Sequence, residues 1–139
     1  MKVLVDTSVW SLILRKKFKP LTHRENNVKS IFIEFIEASR VQLIGPIRQE
    51  ILSGINEIST FKKLRDHLTP FDDIKIITED YETAADFFNI CMKKGIQGSH
   101  IDFLICAIAY NHNLPIFTLD IDFSNYSKCI DIRLIKIPD

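Results

Sequence analysis

The sequence lacks several features that would assign it to a class of protein at once. It has no formal net charge, because 18 basic side chains balance 18 acidic ones, so overall charge does not indicate a nucleic-acid partner. Its three cysteines lie far apart and form no C-x-x-C pair. This pattern favours buried thiols in a reducing cytoplasm over a disulfide framework or a zinc site.

Long apolar runs are also missing. The longest, at 103–110, is far shorter than the ~20 residues that a helix needs to cross a bilayer. Asp6 interrupts the apolar N-terminal segment, and the basic segment 15–19 follows where a signal peptide would have small residues. We therefore expect a cytoplasmic protein that is not inserted in a membrane.

Several motifs of catalysis and nucleotide binding do not occur. Neither G-x-x-x-x-G-K-[ST] nor G-x-G-x-x-G is present, so no glycine-rich phosphate loop is predicted. No serine has a G-x-S-x-G setting, and the four histidines lack metal-ligand spacing. The acidic residues are therefore the main candidates for a functional site.

What is present is an alternation of strand-like and helix-like segments over 139 residues. Strands are predicted at 2–5, 41–44, 115–119 and 132–137, with a short strand or an extended link at 74–77. Helices are predicted at 8–14, 23–39, 46–55, 58–68, 78–95 and 99–114. This order predicts an α/β sandwich around a largely parallel sheet, in a single domain spanning 1–139.

The helix at 78–95 has two predicted features. Thr78 is expected to cap its start. Its apolar face is expected to contain Tyr81, Ala84, Ala85, Phe88 and Cys91.

Acidic residues follow two of the predicted strands. Asp6 comes directly after the first strand, and Asp120 and Asp122 follow the strand at 115–119. In parallel α/β sheets, sites form outside the carboxyl ends of strands, so these carboxylates converge if the two strands are neighbours. The alternative is structural, because aspartate is common as a helix cap and in turns.

Two further acids lie on predicted helices. Asp102 comes three residues after Ser99, so it can point toward the strand ends or complete a capping box with that serine. Glu50 lies early in its helix, where most glutamates are simply solvated.

A cluster of such acids has a chemical consequence. Packed carboxylates repel and raise one another's pKa, so a fold that gathers them without a cation loses stability. Ligands that are all oxygen favour Mg²⁺ or Mn²⁺ over zinc. Two ions roughly 4 Å apart can activate a water and stabilise a leaving oxygen, most naturally on a phosphate ester.

Local basic segments are candidates for contact with a nucleic-acid backbone, although an ordinary solvated surface is the alternative. The residues concerned are Arg15, Lys16, Lys17, Lys19, Lys93 and Lys94, with Trp10 and Phe18 near the first four.

Three segments occur together in a characteristic order: VLVDTSVW at 3–10, EILSG at 50–54 and HIDFLICAIAYNHNLPIFTLDIDF at 100–123. With them the chain resembles the PIN-domain family over nearly its full length, and in particular its VapC-type toxin ribonucleases. The resemblance implies a three-layer α/β sandwich with a mostly parallel central sheet. It also implies a metal-dependent endoribonuclease that acts in a type II toxin–antitoxin pair.

The resemblance also implies site residues and partners. The family's four acids fall on Asp6, Glu50, Asp102 and Asp120, and Glu57 competes less well for the second position. A further acid and three supporting polar residues fall on Asp122, Thr7, Ser8 and Thr118. The implied partners are RNA, a second copy of the chain, and an antitoxin that inserts a segment near the site.

The mechanism that we expect from this resemblance is hydrolysis by a metal-activated water. Asp6 and Asp102 would hold the main Mg²⁺, or Mn²⁺, with Asp120 and Asp122 completing the shell. Glu50 would hold a second ion or orient the water, leaving 5′-phosphate and 3′-hydroxyl ends. Two alternatives stay open: a catalytically silent PIN-like module for partner binding or oligomerisation, and a receiver-type domain that is phosphorylated on Asp80.

Overall fold

The chain alternates short strands with helices. The structure is a computed structural model, which describes residues 1–15 and 19–139. In chain order, the elements are β1 (Val3–Val5), α1 (Thr7–Leu14), α2 (His23–Glu37), β2 (Val41–Ile44), α3 (Gly45–Leu52), α4 (Ile58–Leu68), β3 (Asp73–Ile74), α5 (Thr78–Lys93), α6 (His100–Asn111), β4 (Ile116–Phe117) and α7 (Asp122–Tyr126). Within the described ranges, no helix has the length and apolar character that crossing a membrane requires.

The strands form one parallel sheet in the order β3-β2-β1-β4. Leu4 pairs with Gln42 on one side and with Ile116 on the other, so β1 is central. All three residues of β1 are fully buried, as expected for a parallel strand covered by helices on both faces. This arrangement of a parallel sheet flanked by helices confirms the predicted fold class.

Two predicted strands are shorter than expected. β4 contains Ile116–Phe117 instead of 115–119, and β3 contains Asp73–Ile74, so most of 74–77 is the extended link. The strand predicted at 132–137 is wrong except for one parallel bridge between Leu134 and Ile116. Because β4 has only two residues, it offers few backbone groups for pairing at this edge. The segment 132–137 is joined to it only by the backbone hydrogen bonds on either side of that bridge, among the described residues.

The predicted face of α5 is rotated. Cys91 is fully buried as predicted, but Tyr81 is 56% exposed, and Asp80 and Phe87, which the prediction left out, are buried. Asp80 determines this rotation, because its carboxylate accepts hydrogen bonds from the Ile77 N–H (3.0 Å) and from Asn111 Nδ2 (2.9 Å) on α6. Asp80 rather than Thr78 therefore caps the helix, and its complete burial contradicts a phosphoacceptor role.

Arg48 fixes α3 against the segment that leads into β3. Its guanidinium donates to both carboxylate oxygens of Asp73, and to the carbonyl oxygens of Leu68 (3.0 Å) and Phe71 (2.6 Å). A bidentate ion pair with further backbone acceptors holds a geometry well, because most of the guanidinium's donors are satisfied. The helix that carries Glu50 is thus held in register with the sheet.

We predict that Phe117→Ala lowers the free energy of unfolding by about 3–5 kcal/mol, because it leaves a cavity at a fully buried strand position. The Phe117 ring packs edge-on against Phe35, with the centroids 5.6 Å apart. Urea-induced unfolding measures the change. Ile58→Ala, at a residue that is 71% exposed, is the control and should change stability by less than about 0.5 kcal/mol. Equal losses in the two variants would contradict the prediction.

Candidate functional site

The carboxyl ends of β1 and β4 meet at one edge of the sheet. Asp6 directly follows β1, and its N–H donates to the carbonyl oxygen of Phe117 in β4 (2.9 Å). Thr118 and Asp120 follow β4 immediately. The two strands are neighbours, so Asp6 and Asp120 lie at the same edge of the sheet, as expected. Asp6 is not among the carboxylates that lie within 4.8 Å of one another, which are those of Asp102, Asp120 and Asp122.

Asp6 is a buried carboxylate whose two oxygens have different surroundings. Oδ2 accepts hydrogen bonds from Ser8 Oγ (2.8 Å), from Thr118 Oγ1 (2.8 Å) and, more weakly, from the Ser8 N–H (3.4 Å). Oδ1 has no donor among residues 1–15 and 19–139. Asp6 therefore caps α1 with one oxygen and leaves the other available, which fits both interpretations of this residue.

Ser8 and Thr118 connect Asp6 to the loop after β4. Each hydroxyl donates a hydrogen bond to the Asp6 carboxylate. In turn, Ser8 Oγ accepts a hydrogen bond from the Leu119 N–H, and Thr118 Oγ1 accepts one from the Asp120 N–H (both 2.9 Å). Ser8 Oγ and Thr118 Oγ1 are 3.2 Å apart, but no hydrogen bond forms between them, because each hydroxyl already donates to Asp6. The loop that carries Asp120 is therefore fixed relative to Asp6.

Asp102, Asp120 and Asp122 form a second group, which we call the three-acid group. One carboxylate oxygen from each lies within 4.8 Å of the others. Asp102 comes from the first turn of α6, and the other two come from the start of α7 and the residues before it. The Asp122 N–H also donates to Asp120 Oδ1 (2.9 Å), so the side chain of Asp120 braces the turn through the backbone of Asp122.

Asp102 does not complete the predicted capping box. Ser99 Oγ accepts from the Asp102 N–H (3.0 Å), which is half of the motif. The Asp102 carboxylate accepts instead from the hydroxyl of Tyr126, with Oη and Oδ2 2.7 Å apart. The carboxylate is thereby directed toward α7 and the other two acids.

Burial raises the pKa of Asp102, the hydroxyl of Tyr126 lowers it and the charge of Asp120 raises it; the Ser99 side chain lowers it and the charge of Asp6 raises it by smaller amounts. The pKa of Tyr126 is raised well above its ordinary value by burial and by its bond to Asp102. The phenol therefore remains protonated and acts as a neutral donor.

Glu50 lies near this edge but outside the three-acid group. Burial raises its pKa, the nearby Thr7 hydroxyl lowers it, and the charges of Asp6 and Asp102 raise it again. Thr7 Oγ1 is buried and has no hydrogen-bond partner of good geometry among the described residues. Its effect on Glu50 is thus that of a nearby dipole.

Glu57 has a different environment. It is exposed, and its carboxylate accepts hydrogen bonds from Ser59 and Thr60, which lower its pKa. The charges of the site acids do not contribute to this shift, whereas they do contribute for Glu50. Of the two glutamates, Glu50 is therefore the one that lies within the electrostatic influence of Asp6 and Asp102.

The basic segments are described only in part. Arg15, Lys19, Lys93 and Lys94 are exposed, and Lys16, Lys17 and Phe18 lie outside the described residues. Trp10 is 3% exposed and packs edge-on against Phe32 and Phe71, so it belongs to the core and does not offer a face to a base.

Tyr126 is the contact that the sequence does not reveal. It lies three residues after Phe123 on α7, and both side chains are fully buried, so the helical spacing is that of ordinary core residues. Only the folded chain shows that its hydroxyl reaches Asp102.

We predict that Asp102→Asn raises the melting temperature of the metal-free protein near neutral pH by a few degrees. A carboxyl whose pKa is raised by folding contributes stability below its ordinary pKa, and that contribution is lost as the pH rises through the folded pKa. The asparagine amide does not titrate, so it removes this dependence of stability on pH. Its oxygen still accepts the hydrogen bond from the Tyr126 hydroxyl. Thermal unfolding in EDTA from about pH 4 to pH 8 should show a flatter profile. Exposed Asp86→Asn on α5 is the control, and an unchanged slope in Asp102→Asn would contradict the prediction.

The chain is similar to known proteins over almost its whole length. It is 26% identical over 133 residues to the VapC ribonuclease Mb1587 of Mycobacterium bovis, covering 94% of this chain and 96% of that protein. Its fold matches FitAcB from Neisseria gonorrhoeae, with a TM-score of 0.76, 19% identity and 96% of each chain covered. It also matches a toxin-antitoxin complex from Klebsiella pneumoniae, with a TM-score of 0.64, 18% identity, and 96% of this chain and 100% of that chain covered.

The sequence model of the PIN domain matches residues 3–128. This range includes both strands that meet at the site and every acid described above. The chain therefore belongs to the PIN domain family.

Proposed function

We propose that this protein is a divalent-metal-dependent endoribonuclease that hydrolyses RNA phosphodiester bonds as the toxin of a type II toxin–antitoxin pair. The observation that carries the proposal is the three-acid group, whose carboxylate oxygens lie within 4.8 Å of one another in a PIN domain. The similarity of the chain to a protein named a ribonuclease supports RNA as the substrate. Its similarity to a toxin-antitoxin complex supports a role in a toxin–antitoxin pair.

The residues present fit a hard divalent cation. The donors are carboxylate oxygens, which suit Mg²⁺, with Mn²⁺ as the alternative. The raised pKa of Asp102 comes in part from neighbouring negative charges, and a bound cation would relieve that repulsion. When bound, such an ion polarises a phosphate oxygen and makes an attacking water more acidic.

Each acid has a proposed role. Asp102, Asp120 and Asp122 would hold the ion, and Asp6, which lies outside the three-acid group, would contribute Oδ1 from the adjacent strand end. Ser8 and Thr118 orient Asp6, and Thr7 supports Glu50. Glu50 orients the attacking water and accepts its proton, because its raised pKa makes the carboxylate a better base than an ordinary surface glutamate.

We predict that antitoxin-free protein cleaves total cellular RNA at discrete sites in Mg²⁺ or Mn²⁺. Asp6→Asn and Asp102→Asn should each lower the cleavage rate by about 100-fold or more, which corresponds to about 3 kcal/mol of lost transition-state stabilisation. EDTA should abolish cleavage, and Asp86→Asn should cleave like the wild type. Sequencing of the new 5′ ends identifies the cleaved RNA.

The chemistry of the ends tests the mechanism separately from the activity. Attack by water leaves a 5′-phosphate and a 3′-hydroxyl, whereas attack by the ribose 2′-hydroxyl leaves a 2′,3′-cyclic phosphate. Cyclic ends would contradict the proposed mechanism. Folded wild-type protein that binds the metal but cleaves RNA no more than Asp6→Asn and Asp102→Asn, with no metal-dependent cleavage, would favour a catalytically silent module for partner binding.

We also propose a homodimer and a cognate antitoxin as protein partners, in the cytoplasm. The three thiols are free, and Cys91 and Cys106 are buried, as expected in a reducing compartment. An apolar groove of about 520 Å³ between α5 and α6 supports the dimer. Its lining includes the exposed side chains of Tyr81 and Ile101 beside Phe88 and Leu104.

We predict that Tyr81→Glu shifts the protein toward a monomer, because it places a charge in this apolar groove. Sedimentation velocity at several concentrations measures the change. Tyr110→Glu, at a residue that is exposed on α6 outside the groove, is the matched control and should sediment like the wild type. A wild type that is monomeric at all concentrations would exclude the dimer.

A further inference from the structure

We propose that Tyr126 is a positioning residue for the metal site, in which its hydroxyl holds Asp102 in the orientation that a divalent cation requires. The proposal rests on the metal dependence proposed above. It adds a residue that is neither an acid nor one of the polar side chains around Asp6.

The hydroxyl of Tyr126 has a single hydrogen-bond partner in the described part of the chain. Oη donates to Asp102 Oδ2 at 2.7 Å, a length typical of an O–H donor on a carboxylate. The side chain is fully buried, with the ring of Phe103 at 4.8 Å and that of Phe123 at 5.3 Å between centroids. A phenol packed in this way cannot turn to another acceptor, so the direction of the bond is fixed.

The bond also joins the two segments that supply the three-acid group. Tyr126 is the last residue of α7, and Asp122 is its first. Asp102 comes from α6, so the contact ties α6 to the segment that carries the other two carboxylates. The distances among the three carboxylates depend on the relative positions of these two segments. Tyr126 holds the segments together through Asp102, which is itself one of the proposed metal ligands.

Gly98 provides the space that the hydroxyl occupies. A Cβ at this position would lie 2.5 Å from Tyr126 Oη and 2.8 Å from both Tyr126 Cε1 and Phe103 Cε2. Both rings are almost completely buried and cannot move aside without repacking. The phenol can therefore reach Asp102 only because residue 98 has no side chain.

A neutral donor is suited to this position. Hydrogen bonds from outer residues orient the ligands of a metal, and their loss commonly weakens metal binding by about 10–100-fold. A lysine or arginine at this place would also orient Asp102, but its positive charge would compete with the cation for the same carboxylates. The tyrosine fixes one oxygen of Asp102 and keeps the negative charge of the group.

The test measures metal binding without RNA. Isothermal titration calorimetry with Mn²⁺ should give a dissociation constant about 10-fold higher for Tyr126→Phe than for the wild type. Tyr110→Phe, at an exposed position on α6, is the matched control and should bind Mn²⁺ like the wild type. Gly98→Ala keeps the phenol but displaces it, so it should weaken binding in the same direction. Cooperative thermal unfolding verifies that each variant is folded.

The dependence of RNA cleavage on Mg²⁺ concentration distinguishes positioning from chemistry. For Tyr126→Phe, the half-saturating concentration should rise by about 10-fold, and the rate should recover at saturating Mg²⁺. A Mn²⁺ dissociation constant equal to that of a metal-binding wild type overturns the role of Tyr126 and leaves the proposed function intact. A rate loss that persists at saturating Mg²⁺ also overturns it. A wild type that binds no Mn²⁺ overturns both proposals.

Discussion

The buried carboxylate of Asp6 is the constraint on which the rest of the site depends. Asp6 directly follows β1, caps α1 and accepts a hydrogen bond from the hydroxyl of Thr118, which is 112 residues further along the chain. One charged oxygen thus fixes the central strand, the first helix and the loop after β4 relative to one another. Because charge-assisted hydrogen bonds are stronger than neutral ones, this small network holds geometry that two short strands alone would hold poorly.

In the described part of the chain, no cationic side chain neutralises the acids at this edge. Within residues 1–15 and 19–139, none of Asp6, Asp102, Asp120 and Asp122 forms an ion pair with lysine, arginine or histidine. Arg48, on the same helix as Glu50, is already occupied by Asp73 and two carbonyl oxygens. The protein stabilises its acids with neutral hydroxyl and N–H donors instead. Local repulsion therefore remains, which is typical of functional sites that trade stability for activity.

The parts of the structure that could be predicted from the sequence follow from local apolar patterns and from the geometry of a parallel sheet. The runs at 2–5 and 41–44 indicate strands because they are mainly apolar, and they form as β1 (Val3–Val5) and β2 (Val41–Ile44). Asp6 and Asp120 could be placed together because adjacent parallel strands end at the same edge. The nearness of Asp102 agrees with the prediction from its position at a helix start.

The features that the sequence did not predict depend on contacts between distant segments. The face of α5 follows the hydrogen bond between Asp80 and Asn111, which no apolar spacing within one helix can indicate. The segment 132–137 has the composition of a strand, but its neighbour β4 is too short to pair with it over that length. The contact of Tyr126 with Asp102 requires a glycine at residue 98, and only the packing of three segments shows why.

The long separation between Asp6 and Thr118 also has a consequence for synthesis on the ribosome. The chain emerges from its N-terminus, so β1, β2 and α3 are available long before β4 exists. Until the last strand has left the exit tunnel, Asp6 lacks the Thr118 hydroxyl and Asp120 is absent from the edge. A nascent chain therefore cannot assemble this arrangement of acids until β4 and the residues that follow it have left the exit tunnel.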